Sequence, residues 1–399
     1  MSLYTSASGR EVNHASSSSL DTFRLCRRKF RLSRIDGWKQ KDKKASLEFG
    51  KCVEAAVQYY HDNGLKSGDA PTEFARLWAK WIDQPLVFTD QENSWRDLNV
   101  MGQEMTKLYE ILLPTLPIRN PKWQLQFLKE LWPGDPIYGE LQFMAYVDLL
   151  STLEDGTRLI VDIKTAKSML SVTPDMMTLD GQLRKYAWVS GIRDVGFLNF
   201  VKAEPEGYKK GSHITLLEDC ASWKKGQQLV AAKFQAPKEA VAATETTKAS
   251  PEVPWLMLVC TDETVQKMDE QLDKISGKGA TEKKEQVIAQ FLNDGLLGSV
   301  SRESITKVKL QFVRGTIPEE DLSGIGDQIG ADMIAMKTSS DRNLYPLDGG
   351  VRFPNAICGW CEMRGHCLKQ PALVEQLLVQ IGAKVEETDW LTELEGEGE

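Results

Sequence analysis

The sequence predicts an α/β fold in which helices flank a central mixed β-sheet. Residues 142 to 153 alternate between apolar and polar side chains, and Glu154-Asp155-Gly156 follows as a typical turn sequence. Residues 159 to 164 are then strongly apolar, so the two segments together predict a β-hairpin. Because helical patterns precede and follow this hairpin, we expect a sheet with helices packed on it.

The periodicity of the apolar residues predicts the remaining elements. Helices are predicted at residues 16–35, 46–62, 178–189, 262–275 and 282–292, and strands at 196–202, 212–217 and 308–313. Residues 235–252 are rich in Ala, Thr, Pro and Glu and predict a linker or an exposed loop. The glycine-rich residues 323–326 are a weak phosphate-loop candidate. Since the chain has no Gly-x4-Gly-Lys-Ser/Thr sequence, ATP-driven chemistry is not expected.

The composition is that of a globular protein with one large or two ordinary domains: 399 residues, 41% hydrophobic and 27% charged. No segment approaches the ~20 apolar residues that a membrane-spanning helix needs, and the N-terminus has no apolar signal-peptide core. We therefore expect a cytoplasmic protein with no membrane partner. Seven cysteines, an odd number, favour reduced thiols over disulfides.

The formal net charge of −8 is unevenly distributed along the chain. Residues 24 to 44 contain ten basic and two acidic side chains, which suits contact with phosphates. A solvated helix face followed by a charged loop is the alternative interpretation. The residues of this segment that we predict to contact nucleic acid are Arg24, Arg27, Arg28 and Lys29. After Lys384 the chain is acidic, which predicts a disordered tail or, through Trp390 and Leu391, a docking peptide.

The predicted hairpin brings together side chains that suit a divalent cation. Asp148 lies near the end of the first strand, and Asp162-Ile163-Lys164 lies near the end of the second. Because side chains alternate along a strand, Asp162 and Lys164 point to one face and Ile163 to the core. Two carboxylates and an ammonium at one sheet edge suit metal-assisted phosphodiester hydrolysis. A cross-strand salt bridge is the ordinary alternative.

Four cysteines predict a metal site that joins the two ends of the chain. Cys358, Cys361 and Cys367 form a Cys-x2-Cys-x5-Cys sequence, and Cys26 in the first predicted helix offers a fourth thiol. His366 is adjacent to Cys367 and the two would rarely face one ion, so the four-cysteine set is preferred. Thiolates suit both iron–sulfur clusters and zinc, and the residues leave both metals open.

Six short sequences, in this order, resemble the PD-(D/E)XK nuclease superfamily, in particular the RecB-like branch that includes CRISPR-associated and phage iron–sulfur exonucleases. They are the helix from Ser19 to Phe30, Phe49-Gly50-Lys51-Cys52-Val53-Glu54, Tyr146-Val147-Asp148, Asp162-Ile163-Lys164-Thr165, Gln182-Leu183-Arg184-Lys185-Tyr186, and Cys26 with Cys358, Cys361 and Cys367. The resemblance implies a restriction-endonuclease-like core. It also implies that a four-cysteine cluster, 4Fe-4S rather than zinc, joins the N- and C-terminal segments.

The resemblance further implies the metal site of the nuclease. Asp148, Asp162 and the Ile163 carbonyl would ligate Mg²⁺ or Mn²⁺, together with Glu54, and Lys164 would orient the attacking water. The family commonly has a histidine where this chain has Glu54. A glutamate also ligates these cations, so the substitution bears on metal preference and keeps open a protein that only binds.

Two residues of the next predicted helix complete the implied site. Gln182 and Tyr186 stand at i and i+4 and therefore share one helix face. The resemblance implies that they position the DNA strand near the metal.

We therefore expect a metal-dependent DNA nuclease, an exonuclease on single-stranded DNA or DNA ends in recombination, repair or phage DNA processing. One alternative is a catalytically inactive iron–sulfur DNA-binding or assembly protein of the same fold. A second alternative is a zinc-stapled RNA-processing factor.

The sequence also suggests a division of the chain. We expect a nuclease core at residues 1–220, a helical or mixed insertion at 221–345, a Cys-rich segment at 346–385 that closes onto the N-terminal helix, and an acidic disordered tail at 386–399. The insertion or the tail is where a recombination or replication partner would bind.

Overall fold

The computed structural model describes residues 2–88, 94–171, 173–202, 208–240, 242, 249–306, 308–346, 358, 361–369 and 377–379, the last three by their backbone. In chain order the strands are β1 (Tyr4–Thr5), β2 (Glu11–Val12), β3 (His14–Ser16), β4 (Trp38–Gln40), β5 (Lys43–Lys44), β6 (Leu86–Val87), β7 (Lys122–Glu130), β8 (Gln142–Thr152), β9 (Arg158–Ala166), β10 (Asp194–Val201), β11 (His213–Thr215), β12 (Gln228–Gln235), β13 (Leu256–Cys260), β14 (Gly298–Val300), β15 (Lys309–Thr316) and β16 (Leu377–Val379).

The helices of the described residues alternate with these strands. They are α1 (Ser17–Leu25), α2 (Arg27–Phe30), α3 (Ala45–Asp62), α4 (Asp69–Ala79), α5 (Trp95–Leu112), α6 (Pro174–Met177), α7 (Gly181–Ser190), α8 (Asp262–Asp273), α9 (Ala280–Asn293), α10 (Glu319–Asp341) and α11 (Arg364–Leu368). A π-helical turn at Arg31–Ile35 continues α2, and a 3-10 turn at Leu113–Thr115 continues α5.

Six strands form one mixed sheet in the order β15, β10, β9, β8 and β3, with β7 also paired to β8. The pairs β9–β10 and β3–β8 are parallel, and the other pairs are antiparallel. The predicted mixed sheet and the predicted β8–β9 hairpin are therefore confirmed.

Strand β8 is divided between two partners along one of its edges. Strand β9 pairs with residues 149–152 of β8, whereas β3 pairs with residues 142–144. Strand β7 pairs with residues 142–150 along the opposite edge of β8. Strands β9 and β3 therefore share the other edge of β8, and a cleft opens between β9 and β3. Asp148 lies at the start of this cleft, beside the point where β9 diverges from β8.

Helices cover both faces of the central sheet. On one face α3, α4 and α5 bury a core that includes Phe49 and Trp78, both fully buried. On the other face α1, α7 and α10 bury a second core that includes Leu20, Leu183 and Met333. The sheet is thus the middle layer of three, and its interior strands are apolar on both sides.

A second, four-stranded antiparallel sheet of β11, β12, β13 and β14 lies between β10 and β15 in the chain. Helices α8 and α9 pack on it through Met268 and Phe291, which contact a small core containing Cys260. The chain leaves the central sheet at Val201 and returns at Lys309, and these two residues are register partners. The second sheet is therefore an insertion within one antiparallel pair.

The C-terminal segment lies against the N-terminal region. Strand β16 pairs with β4, Lys29 forms an ion pair of 3.1 Å with Glu362, and the rings of Trp38 and His366 are 4.2 Å apart. The predicted domain boundaries as such stay predictions, and the whole predicted tail at 386–399, together with residues 347–357, lies outside the described residues.

Three predicted elements differ from the structure. The helix predicted at 16–35 breaks at Cys26, whose extended backbone ends α1 and whose Sγ accepts a hydrogen bond from the Lys29 amide at the start of α2. The helix predicted from residue 178 begins at Gly181, because Asp180 caps it. The glycine-rich residues 323–326 lie inside α10, so they form no phosphate loop.

Two further expectations concern the surface and the linker. Within the described part of the chain, no helix has the length and hydropathy that crossing a membrane requires. The predicted linker at 235–252 is partly outside the described residues; Gln235 ends β12, and Lys238 forms an isolated bridge with Val253.

Two helical glycines should respond oppositely to alanine. A Cβ at Gly102 in α5 would lie 1.9 Å from the ring of Phe74, which is fully buried, whereas a Cβ at Gly324 in α10 would have no neighbour within 4 Å. We expect Gly102→Ala to lower the free energy of unfolding by about 1–3 kcal/mol through overpacking, and the matched control Gly324→Ala to raise it by up to ~1 kcal/mol. Urea unfolding measures both, and equal effects would contradict the packing described for α4 and α5.

Candidate active site

The cleft between β9 and β3 contains a hydrogen-bonded set of four predicted site residues. Lys164 Nζ lies 2.6 Å from Asp162 Oδ2 and 3.4 Å from Gln182 Oε1. The Gln182 amide in turn donates to Asp162 Oδ1 at 2.9 Å and to the Tyr186 hydroxyl at 2.5 Å. Asp162 and Lys164 therefore share one face of β9, as predicted, while Ile163 packs into the opposite core.

Helix α7 is positioned so that its first turn meets the end of β9. Asp180 Oδ1 accepts hydrogen bonds from the amides of Gln182 and Leu183, both at 2.9 Å, which fixes where the helix begins. Gln182 and Tyr186 then lie one above the other at i and i+4. The cap therefore sets the distance from Gln182 to Asp162.

Asp148 and Glu54 reach the same cleft from other elements. Asp148 Oδ2 accepts a hydrogen bond of 2.9 Å from the backbone amide of Ile163. Glu54, near the middle of α3, accepts a short hydrogen bond from the side-chain amide of Gln124. The structure thus brings together all the residues predicted for the metal site.

Gln124 was missed by sequence reasoning. Its φ of 47° is in the left-handed region, within β7. Trp123 packs in the core of α3 to α5, whereas Leu125, two residues later, packs in the core of α1, α7 and α10. The strand therefore changes face at Gln124 and turns this amide toward Glu54. A glutamine in a strand carries no signal for that behaviour.

Burial raises the pKa of all three carboxylates, and neighbouring carboxylate charges add to this effect at Asp162 and Glu54. Burial, reinforced by the charge of Asp148 and opposed by Lys164, raises the pKa of Asp162 to about 7. Burial and the charges of Asp148 and Asp162 raise the pKa of Glu54 well above its usual value. Burial also raises the pKa of Asp148, against the hydrogen bond from the Ile163 amide. Ionising one carboxylate raises the free energy of ionising a neighbouring one, so the cleft favours a cation.

The Lys164 ammonium opposes this excess of negative charge. Burial lowers its pKa, but the charges of Asp162, Asp148 and Asp180 outweigh that effect and raise it. The ammonium therefore stays charged in the cleft. Asp180 is a second residue that sequence reasoning missed, and its place before a helix was the available signal.

The donor set of the cleft suits a hard divalent cation. Carboxylate and carbonyl oxygens are the ligands of Mg²⁺ and Mn²⁺, and Glu54, Asp148 and Asp162 offer three carboxylates whose pKa values are all raised. Among the described residues no three His, Cys, Asp or Glu side chains are arranged closely enough to hold a metal ion as they stand. N–H donors of Lys164, Gln182 and Gln124 engage the carboxylates instead.

The four predicted cluster cysteines lie in the same part of the molecule. Burial raises the pKa of Cys367 and the charge of Arg28 opposes it, with Cys361, Cys26 and Cys358 adding smaller increases. The four thiols are thus close enough to affect one another's ionisation. Their sulfur donors suit an iron–sulfur cluster or zinc. Among the described residues they are not arranged as a metal site.

The basic residues predicted to contact nucleic acid make contacts within the chain. Arg24 forms an ion pair with Asp332 of α10, and Lys29 pairs with Glu362. Arg27 lies over the ring of Phe23, 5.4 Å from its centroid. These contacts connect α1 and α2 to α10 and to the C-terminal segment.

Comparisons with known proteins give one family over most of the chain. The family model described as the PD-(D/E)XK nuclease superfamily matches residues 14–367. A solved structure described as "Crystal structure of SSO0001" matches with 15% sequence identity and a TM-score of 0.19, over 46% of this chain and 70% of that one. No curated protein matches the chain.

The raised pKa of Asp162 makes stability depend on pH. Its pKa is about 7 in the folded chain and near 3.8 in the unfolded chain, so ionisation opposes folding above pH 7, and this cost disappears as the pH falls toward 4. We expect Asp162→Asn to raise the free energy of unfolding by a few kcal/mol, in order of magnitude, at pH 8 and by much less at pH 5.

Urea unfolding at both pH values in EDTA measures this difference. Asp155→Asn, in the exposed turn of the same hairpin, is the matched control and should give no gain at pH 8, because a hydrogen bond from the Thr157 amide lowers the pKa of Asp155. An Asp162→Asn effect that is the same at pH 5 and pH 8 would refute the proposed burial of this charge.

Proposed function

We propose, since the chain belongs to the PD-(D/E)XK nuclease superfamily, that it is a metal-dependent nuclease that hydrolyses DNA phosphodiester bonds. The observation that carries the proposal is the cleft in which Asp148, Asp162 and Glu54 surround the Lys164 ammonium. In the proposed reaction these carboxylates would hold a divalent cation beside the charged Lys164.

Each residue has a definite task in the proposed reaction. Asp148, Asp162, Glu54 and the Ile163 carbonyl would hold Mg²⁺ or Mn²⁺. The bound ion would neutralise charge on the phosphate and lower the pKa of the attacking water. Lys164 remains charged and donates hydrogen bonds, so it orients that water or stabilises the phosphate oxygens.

Gln182 and Tyr186 set the position of the reacting groups. Gln182 bonds to Asp162, Lys164 and the Tyr186 hydroxyl, so one amide fixes three groups. Burial raises the pKa of Tyr186, with the charges of Asp148 and Asp162 adding to the effect. The phenol therefore stays protonated and can donate to a phosphate oxygen.

We further propose that the chain acts as an exonuclease on single strands or DNA ends, as in the RecB-like branch. The order of the short motifs and the proximity of Cys26 to the late cysteines support this. A 4Fe-4S cluster on Cys26, Cys358, Cys361 and Cys367 would join the two ends of the chain and hold the strand-binding surface. Arg24, Arg27, Arg28 and Lys29 stay candidate DNA contacts, although several already bond within the chain.

The second candidate function is DNA binding without cleavage. It is favoured by Glu54 at the position of the family's usual histidine and by the engagement of Glu54 with Gln124. In that protein the carboxylate cleft would be present without hydrolysing DNA.

Nuclease activity can be measured with end-labelled single-stranded and duplex DNA in Mg²⁺, Mn²⁺ or EDTA. We expect metal-dependent shortening that falls by at least about 100-fold in Asp162→Asn and in Lys164→Met, because these remove a metal ligand and a charged donor. Lys167→Met, an exposed residue directly after β9, is the matched control and should remain active. Intact DNA in every lane with retained binding would favour the second candidate function.

Metal content tests the cysteine cluster separately. Anaerobically purified protein should be brown, with about four iron and four sulfide per chain, and Cys361→Ser should lose most of both. Cys220→Ser, in the connection between β11 and β12, should keep the full content. One zinc per colourless chain, together with a preference for RNA, would instead identify a zinc-stapled RNA-processing factor.

A further inference from the structure

A basic cavity lies beside the first turns of α3. It has a volume of 830 Å³ and a lining with eight basic and three acidic side chains. Two of the acids are already paired: Glu48 with Lys51 at 3.3 Å, and Glu362 with Lys29 at 3.1 Å. The cavity is therefore strongly positive, although the whole chain has a net charge of −8.

Most of the basic side chains in this cavity come from the short segment that joins α2 to α3. We call the cavity the lysine groove and define it by Lys39, Lys41, Lys43, Lys44, Lys51 and Lys80. All except Lys51 are exposed. Arg24 pairs with Asp332 of α10, whereas the exposed lysines of the groove present their charge to solvent.

The lysine groove leads toward the carboxylate cleft. Lys51 precedes Glu54 by three residues on α3, a rise of about 4.5 Å along the helix. A second cavity, of 280 Å³, shares Arg34 and Lys39 with the groove and reaches Tyr146, two residues before Asp148 on β8. The two adjoining cavities therefore approach the cleft along α3 and along β8.

Aromatic side chains stand among the lysines. Trp81 lines the groove with the Lys43 ammonium 4.8 Å from its ring centroid, and Trp38 lines it from β4. A positive groove with aromatic rings is how proteins bind single strands without sequence preference. Asp162, in the carboxylate cleft, is fully buried. A flexible single strand reaches such a buried site more readily than a stiff duplex does.

We propose that the lysine groove binds the phosphates of single-stranded nucleic acid and delivers the strand to the carboxylate cleft. This inference deepens the proposed nuclease function and names the surface on which that function depends. The lysines supply affinity that does not depend on sequence, and the cleft supplies the chemistry.

The test measures binding in EDTA, where no hydrolysis occurs. Fluorescence anisotropy with labelled dT20 and with a 20-base-pair duplex compares the full chain with Lys39→Ala/Lys41→Ala/Lys44→Ala. The matched control, Lys278→Ala/Lys283→Ala/Lys284→Ala, removes three exposed lysines from the inserted region around α9. We expect the groove variant to lose about two units of the slope of log Kd against log salt for dT20, because each phosphate contact on a single strand contributes ~0.7. The control should keep the slope.

Equal slopes in the two triple variants would overturn the inference, as would tighter binding of the duplex than of dT20. Thermal unfolding shows whether the groove variant folds; if it does not, the single exposed change Lys41→Glu must weaken dT20 binding at least about threefold. Groove-dependent binding by a chain that never cleaves DNA would refute the nuclease proposal alone. Cleavage of single strands with unchanged KM in the groove variant would refute the groove alone.

Discussion

The free-energy cost of burying three carboxylates in one cleft is the constraint on which the rest of this structure depends. Glu54, Asp148 and Asp162 come from three different elements, and burial raises the pKa of each. Such a group is tolerated only where fixed donors oppose the negative charge. Lys164, Gln182 and Gln124 supply those donors, and each is placed by a specific backbone feature: a strand end, a capped helix and a left-handed strand residue.

The arrangement of positive charge follows a related division. Arg24 of α1 pairs with Asp332 of α10, and Lys29 of α2 pairs with Glu362 of the C-terminal segment, so each of these charges has an acidic partner within the fold. The lysines between α2 and α3 are exposed around an open groove. A chain that is acidic overall can therefore still present one positive surface, and the proposed substrate path coincides with it.

The sequence predicted those parts of the structure that depend on local pattern. The hairpin, the shared face of Asp162 and Lys164, and the i, i+4 pair on α7 follow from strand and helix periodicity, and the structure brings these side chains together. The break at Cys26 was not predictable, because its apolar pattern continues through the break and only the thiol's hydrogen bond to Lys29 reveals it. Gln124 was missed because its role depends on a strand that changes face, a tertiary effect with no local signal.

The register of β10 with β15 has a consequence for how the molecule can vary. Since Val201 pairs directly with Lys309, the whole inserted unit is, for the central sheet, a single hairpin connection. The entropic free energy of closing a connection rises by only about 0.6 kcal/mol for each doubling of its length. A long, separately packed unit can therefore replace a two-residue turn between β10 and β15. That unit is free to diverge without moving a site residue, whereas a slip of one residue between β9 and β10 would turn Asp162 and Lys164 to the opposite face.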